Sequence, residues 1–147
     1  MRVYLDNCSY NRPYDDQSQM RIHLETQAKL HIQDMIREKR IELVASYILD
    51  FENSNNRSMQ KKMAIEKFMK DYAALYVSNR NEKEIAALAK PIMTTGVKEK
   101  DAYHVACAIA AKCNYFITTD DRLLKYQTNQ LNLVTPYEFI RRLEETI

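Results

Sequence analysis

Five short apolar runs, separated by stretches with helical periodicity, constrain this chain more than any other feature. They are Arg2–Asp6, Glu42–Ser46, Ala73–Val77, Tyr115–Thr118 and Leu131–Val134. Between the first two lie a polar connection, Asn7–Gln17, and a long helix expected from an N-cap at Ser18 to about Lys39. In that helix Leu24, Ala28, Ile32 and Met35 recur at helical spacing. Further helices are expected around Glu52, over Met59–Lys70, and from Asn81 with Ile85, Leu88, Ala89 and Ile92 on one side; Pro91 should kink or end that last one. Gly96 supplies a turn before the alanine-rich Asp101–Lys112, a short helix covers Asp121–Lys125, and Pro136 opens the final helix. Strands alternating with helices in this way predict an α/β protein. The expected architecture is three-layer α/β/α around a central parallel sheet of four or five strands, with residues 1–147 as a single domain.

The acids follow the same rhythm. Asp6 closes the first strand, Glu52 follows the second, Asp101 opens the alanine-rich helix, and Asp120 ends Tyr115-Phe116-Ile117-Thr118-Thr119-Asp120. Ligands of open α/β sheets bind outside the carboxyl ends of the strands, where all four would gather. Singly, each has an ordinary structural role. Asp6 can end a strand in a turn, Asp101 can cap a helix, and Asp120 or Asp121 can cap the next one. Either Glu52 or its neighbour Asp50 can face inward. As a set they would crowd like charges at one edge, and such crowding calls for a divalent cation. Hard oxygen donors select Mg²⁺ or Mn²⁺ over zinc, which would favour His and Cys.

Composition narrows the alternatives. The net charge of +2, from 22 basic and 20 acidic residues, predicts no strong nonspecific attraction to nucleic acid, while leaving room for a local basic surface. With Gly96 as the single glycine, a Gly-rich phosphate loop, a GxGxxG fingerprint and a Walker motif are all excluded. Cys8, Cys107 and Cys113 form no CxxC pair, as expected of reduced thiols in a cytosolic protein. The amino terminus runs directly into a strand pattern rather than a secretory signal, and no apolar stretch is long enough to span a bilayer. A cytoplasmic location without membrane attachment is the expectation.

With these blocks in view, the chain resembles the PIN domain, the metal-dependent ribonuclease fold of VapC-type toxins. The resemblance covers nearly the whole sequence. It rests on Val3-Tyr4-Leu5-Asp6, on Ser46-Tyr47-Ile48-Leu49-Asp50-Phe51-Glu52, on Asp101-Ala102-Tyr103-His104-Val105-Ala106, and on Phe116-Ile117-Thr118-Thr119-Asp120. The last two blocks are the most specific. The resemblance implies that Asp6, Glu52, Asp101 and Asp120 are both the catalytic and the metal-ligating residues, with Thr118 orienting them. It implies hydrolysis of RNA by water, leaving a 5′-phosphate and a 3′-hydroxyl. It also brings an antitoxin protein and a second copy of the chain forward as candidate partners. One departure stands out: Asn7 follows Asp6 directly, and Cys8 occupies the usual asparagine position, so Asn7 is assigned only a supporting role.

Other residues carry less. His104, one turn after Asp101, can face the site, but a packed or hydrogen-bonded core role is the simpler reading. His23 and His31 have no partner at zinc-ligand spacing. The ten tyrosines form no base-stacking row. Arg12, Lys98, Lys100 and Arg122 flank the acids and can reach phosphates, though solvated surface charge is the default. The main rival is a catalytically silent PIN fold that acts as a binding scaffold. Phosphoacceptor domains fit worse, because an aspartyl phosphatase needs an Asp where Cys8 stands.

Overall fold

The computed structural model describes residues 1–145. Five strands, β1 (Arg2–Leu5), β2 (Glu42–Ser46), β3 (Ala73–Val77), β4 (Tyr115–Ile117) and β5 (Asn132–Val134), form one sheet in the order β3-β2-β1-β4-β5. Every pairing is parallel. The helices are α1 (Asn7–Asn11), α2 (Met20–Arg37), α3 (Tyr47–Ser54), α4 (Met59–Tyr72), α5 (Glu82–Met93), α6 (Glu99–Ala110), α7 (Asp121–Leu124) and α8 (Pro136–Glu145). They flank the sheet as a three-layer α/β/α arrangement.

Position in the sheet explains the composition of each strand. Central β1 is buried at Val3, Tyr4 and Leu5, as a strand covered on both faces must be. Edge strand β3 alternates between half-buried and exposed residues along most of its length. Tyr4 stacks on Phe116 of β4 at 5.1 Å, and Tyr115 meets Phe139 of α8 edge to face at 5.1 Å, so aromatic contacts fasten β4 on both sides. In α6, Ala102, Val105, Ala106 and Ala108 are fully buried, since small side chains let the helix approach its neighbours closely. The strand order turns at β1, with β2 on one side and β4 on the other. The crevice beyond their carboxyl ends is the switch point of this topology.

Several local expectations change. The polar connection after β1 contains α1, whose N-cap is Asp6, followed by a turn of 3₁₀ helix at Arg12–Tyr14. Helix α2 begins after Gln19 rather than Ser18; the Ser18 hydroxyl instead donates to Asp16 Oδ1 at 2.7 Å. Leu24 is 48% exposed, because the first turns of α2 bury the polar pair Glu25 and Thr26 against the Arg12 turn. Helix α6 is capped at Lys98, which puts Asp101 inside its first turn and rules out the capping role. Pro91 lies within α5, which ends at Met93, and Gly96 (φ +101°) makes the following turn in a conformation that suits glycine.

Candidate active site

The sheet delivers two of the acids directly. Asp6 is the first residue beyond β1, and its amide bonds the Ile117 carbonyl of β4 at 2.9 Å. Its side chain is buried and accepts hydrogen bonds at both oxygens. Oδ1 accepts from the Asn7 amide at 2.8 Å, and Oδ2 accepts from Thr118 Oγ1 at 2.9 Å and from the Cys8 thiol at 3.4 Å. Thr118 accepts in turn from the Asp120 amide at 3.1 Å, so one buried hydroxyl sets the spacing between the ends of β1 and β4. Asp120 caps α7, with Oδ1 accepting from Arg122 and Leu123. No hydrogen bond among the described residues engages its Oδ2. Capping and site roles therefore coexist in Asp120 on separate oxygens.

Cys8 fills the place where the asparagine was expected. Its sulfur lies 3.2 Å from Thr118 Oγ1 and accepts from the Thr119 amide at 3.3 Å. Burial pushes the thiol up to about 12, so it is a packed, protonated spacer. Asn7 Oδ1 is buried without a hydrogen-bond partner among the described residues.

Glu52, rather than Asp50, is the inward acid of α3; Asp50 is exposed and accepts from Tyr76. A buried chain of donors holds Glu52. His104 Nε2 lies 2.8 Å from Glu52 Oε1, Tyr4 Oη 2.6 Å from His104 Nδ1, and Ser46 Oγ 2.7 Å from Tyr4 Oη. The direction of these bonds follows from chemistry. A carboxylate can only accept, so Nε2 carries the proton that Glu52 receives. Burial pushes the Tyr4 phenol far up, and it keeps its proton for Nδ1. Ser46 donates to Tyr4 while accepting from the Leu49 amide at the start of α3. Burial pulls the Glu52 carboxyl upward, but the hydrogen bond and polar field of His104, with the charge of Lys100, outweigh it, leaving it below its ordinary value. Lys100 Nζ stands 3.7 Å from Oε2.

Asp101 is the opposite case. No hydrogen-bond donor among the described residues reaches its carboxylate. Burial first, then the negative charges of Asp6 and Asp120, raise its pKa; His104 opposes this and Glu52 adds to it. One carboxyl thus feels the other three. The four acids named from sequence lie near one another at one edge of the sheet, and Thr118 links two of them, Asp6 and Asp120.

Ligand atoms of Asp6, Glu52 and His104 all lie within 4.8 Å of one another, a spacing compatible with a divalent metal. His104 is the buried, hydrogen-bonded core histidine expected from the sequence, but that its partner would be Glu52 was not foreseen. The signal was its place one turn after Asp101, but its partners Tyr4 and Glu52 lie 100 and 52 residues away. The flanking cations divide. Arg12 is taken up by Asp15 and Glu25, whereas Lys98 and Arg122, with Lys125, line a cleft of about 410 Å³ that contains Asp101 and Asp120.

No family model and no curated protein matches the sequence. Solved structures do match it. VapBC2 from Rickettsia felis, bound to a DNA fragment from its promoter, aligns at 12% identity with a TM-score of 0.55, over 90% of this chain and 97% of that one. FitAcB from Neisseria gonorrhoeae aligns at 15% identity with a TM-score of 0.59, over 92% and 98%. FitAB bound to the IR36 DNA fragment aligns at 17% identity with a TM-score of 0.57, over 92% and 95%. At these identities the likeness is one of fold. With its five parallel strands in the order β3-β2-β1-β4-β5, the chain has a VapC-like PIN-domain fold.

Proposed function

We propose that the protein is a Mg²⁺- or Mn²⁺-dependent endoribonuclease, and that it serves as the toxin of a toxin–antitoxin module. The observation that carries this reading is the state of Asp101: half-buried, without a donor, and set among Asp6, Asp120 and Glu52. Among the described residues, only Lys100 and His104 stand within ion-pair distance of the four carboxylates, both on Glu52. A cluster with this excess of negative charge suits a cation, and its hard oxygens suit Mg²⁺ or Mn²⁺.

Asp6 and Asp101 would be direct ligands, Asp120 would contribute Oδ2, and Glu52 would contribute Oε2, because His104 occupies its Oε1. His104 is itself bonded on both nitrogens, which makes it the holder of a ligand rather than a ligand. When bound, the metal supplies positive charge for the phosphate and lowers the pKa of water. The residues supply the rest. Thr118 fixes Asp6 relative to Asp120, and the Ser46–Tyr4–His104 chain keeps Glu52 ionised and aimed. RNA as substrate, the cytoplasm as location and an antitoxin as partner accord with the VapC-type fold and belong to the same proposal.

The test is cleavage of a mixed RNA pool in Mn²⁺, with EDTA as the blank and Asp101→Asn as the variant. Cleavage by the parent alone, abolished by EDTA, is expected. Equal cleavage by parent and variant, or cleavage that survives EDTA, would remove the carboxylates from the mechanism. A parent that cleaves no RNA yet binds a protein partner tightly would favour the scaffold reading.

A further inference from the structure

We infer that the cleft beside Asp101 and Asp120 is a subsite for single-stranded RNA, in which Lys98 and Lys125 hold phosphates and Tyr126 stacks on one base. The inference rests on the nuclease reading for the identity of the strand, and on separate observations for the site itself. The cleft is walled by the turn between α5 and α6 (Thr95–Lys98) and by α7 with the residues that follow it, through Gln127. Its volume of about 410 Å³ falls in the range of small-ligand sites, and its lining includes Asp101 and Asp120. A strand lying in it would run directly past the carboxylates.

The charge pattern separates this wall from the neighbouring one. Arg12 and Arg21, which α2 and the turn before it bring toward Thr119 and Asp121, are saturated. Arg12 pairs with Asp15 and Glu25, and Arg21 with Glu25 and Asp121. Lys98, Arg122 and Lys125 have no ion-pair partner among the described residues; Lys125 only shares the field of Asp121. Cations left without anions around a cleft whose lining includes acids can meet phosphates without first breaking a salt bridge. Tyr126 supplies the aromatic surface. It is half-buried, packed against the core and lining the cleft. Gly96 keeps the facing wall open, since nothing lies within 4 Å of where its side chain would stand. Basic groups along a backbone and an aromatic platform for a base are the two elements of single-strand recognition. A duplex has its bases stacked internally and offers none to Tyr126.

Binding of a fluorescent single-stranded RNA octamer to the full chain tests this by anisotropy, in EDTA and again in millimolar Ca²⁺. The Lys98→Ala/Lys125→Ala double variant should weaken binding about tenfold and flatten the salt dependence by about 1.4 in log–log slope, the contribution of two phosphates on a single strand. Tyr126→Leu, which keeps the packing but loses the aromatic face, should weaken binding about tenfold, while Tyr126→Phe stays within about twofold. Lys70→Ala, in the last turn of α4 ahead of β3 at the other end of the sheet, should change nothing. No binding by the parent in either buffer, equal loss in the Lys70 variant, or equal competition by a duplex of the same sequence would overturn the subsite. Cleavage in Mn²⁺ with affinity unmoved by these substitutions would overturn the subsite alone. Binding that depends on Lys98, Lys125 and Tyr126 without cleavage would overturn the nuclease reading and leave the subsite standing.

Discussion

Two regions of this molecule bury carboxylates, and they treat them in opposite ways. Glu25 on α2 is 4% exposed and lies between two guanidiniums, with Arg21 at 2.7 Å and Arg12 at 3.4 Å. Arg21 reaches on to both oxygens of Asp121 and to the Thr119 carbonyl, so the neutralised acid ties α2 to the β4–α7 connection that carries Asp120. At the sheet edge the ratio inverts: among the described residues four carboxylates share one lysine and one imidazole, and Asp101 receives no donor. A buried acid that is fully paired is a structural clamp. A group of acids that outnumbers its cations stores repulsion that a metal ion relieves.

The largest effect should come from Asp101→Asn. RNA cleavage in Mn²⁺ should fall by about 10²–10³-fold, yet the metal-free variant should melt higher than its parent. The sign follows from the raised pKa. The charged form is disfavoured in the fold, so the penalty is absent in acid, below the ordinary carboxyl value, and complete above the raised one. The gain in Tm should therefore be small in acid and full at neutral pH. A variant that melts lower at neutral pH would show that Asp101 is paired in solution.

Glu25→Gln should do the reverse, costing about 2–3 kcal/mol of stability because it strands two guanidiniums beside a neutral side chain. Denaturant titration would register it, while residual cleavage per folded molecule stays within a few-fold of the parent. A loss of cleavage as large as that of Asp101→Asn would erase the distinction between clamp and site.

One turn along α2, Lys29 is the inverse of Glu25: a buried cation with no carboxylate in ion-pair reach among the described residues, its ammonium 5.7 Å from the Tyr10 ring. Burial, helped by Arg37, pushes its pKa down to about 7. Between that value and the ordinary lysine range the unfolded chain holds the proton and the fold does not, so stability rises with pH through this window. Lys29→Met should stabilise by about 2 kcal/mol below pH 7 and progressively less toward pH 10. Melting curves with the same pH slope in parent and variant would contradict this.

The smallest effect concerns how Glu52 is held. Tyr4→Phe keeps the aromatic stack on Phe116 and removes the hydroxyl that fixes His104, so cleavage should drop about tenfold, as for other groups that orient a metal ligand. Cleavage unchanged by Tyr4→Phe would mean that Glu52 needs no such support.

Much of this was legible in the sequence because it is periodic. The strands recur within one residue of their expected ends, and an acid at the end of an apolar run lies at the carboxyl edge once the strands are parallel. Asp6 and Asp120 were placed for that reason, while Glu52 and Asp101, which lie in helices, were placed by the blocks that resemble the PIN domain. Pairings between distant side chains leave no such trace. Arg21 and Asp121 are separated by 100 residues, as are Tyr4 and His104, and nothing local distinguishes Glu25 from any other helix acid. Helix α1 was hidden because Asn7-Cys8-Ser9-Tyr10-Asn11 has weak helical propensity; Asp6 capping and the burial of Ser9 and Tyr10 make it form.

The central claim is that the carboxylates at the sheet edge hold a divalent cation, and the thermal shift on adding Mn²⁺ to the metal-free protein tests it most directly. A cation bound only by the native state raises Tm with concentration. The account predicts a saturable rise for the parent and for Glu25→Gln, and a much smaller one for Asp6→Asn and Asp101→Asn. An equal rise in all four proteins, or none in the parent, would contradict it.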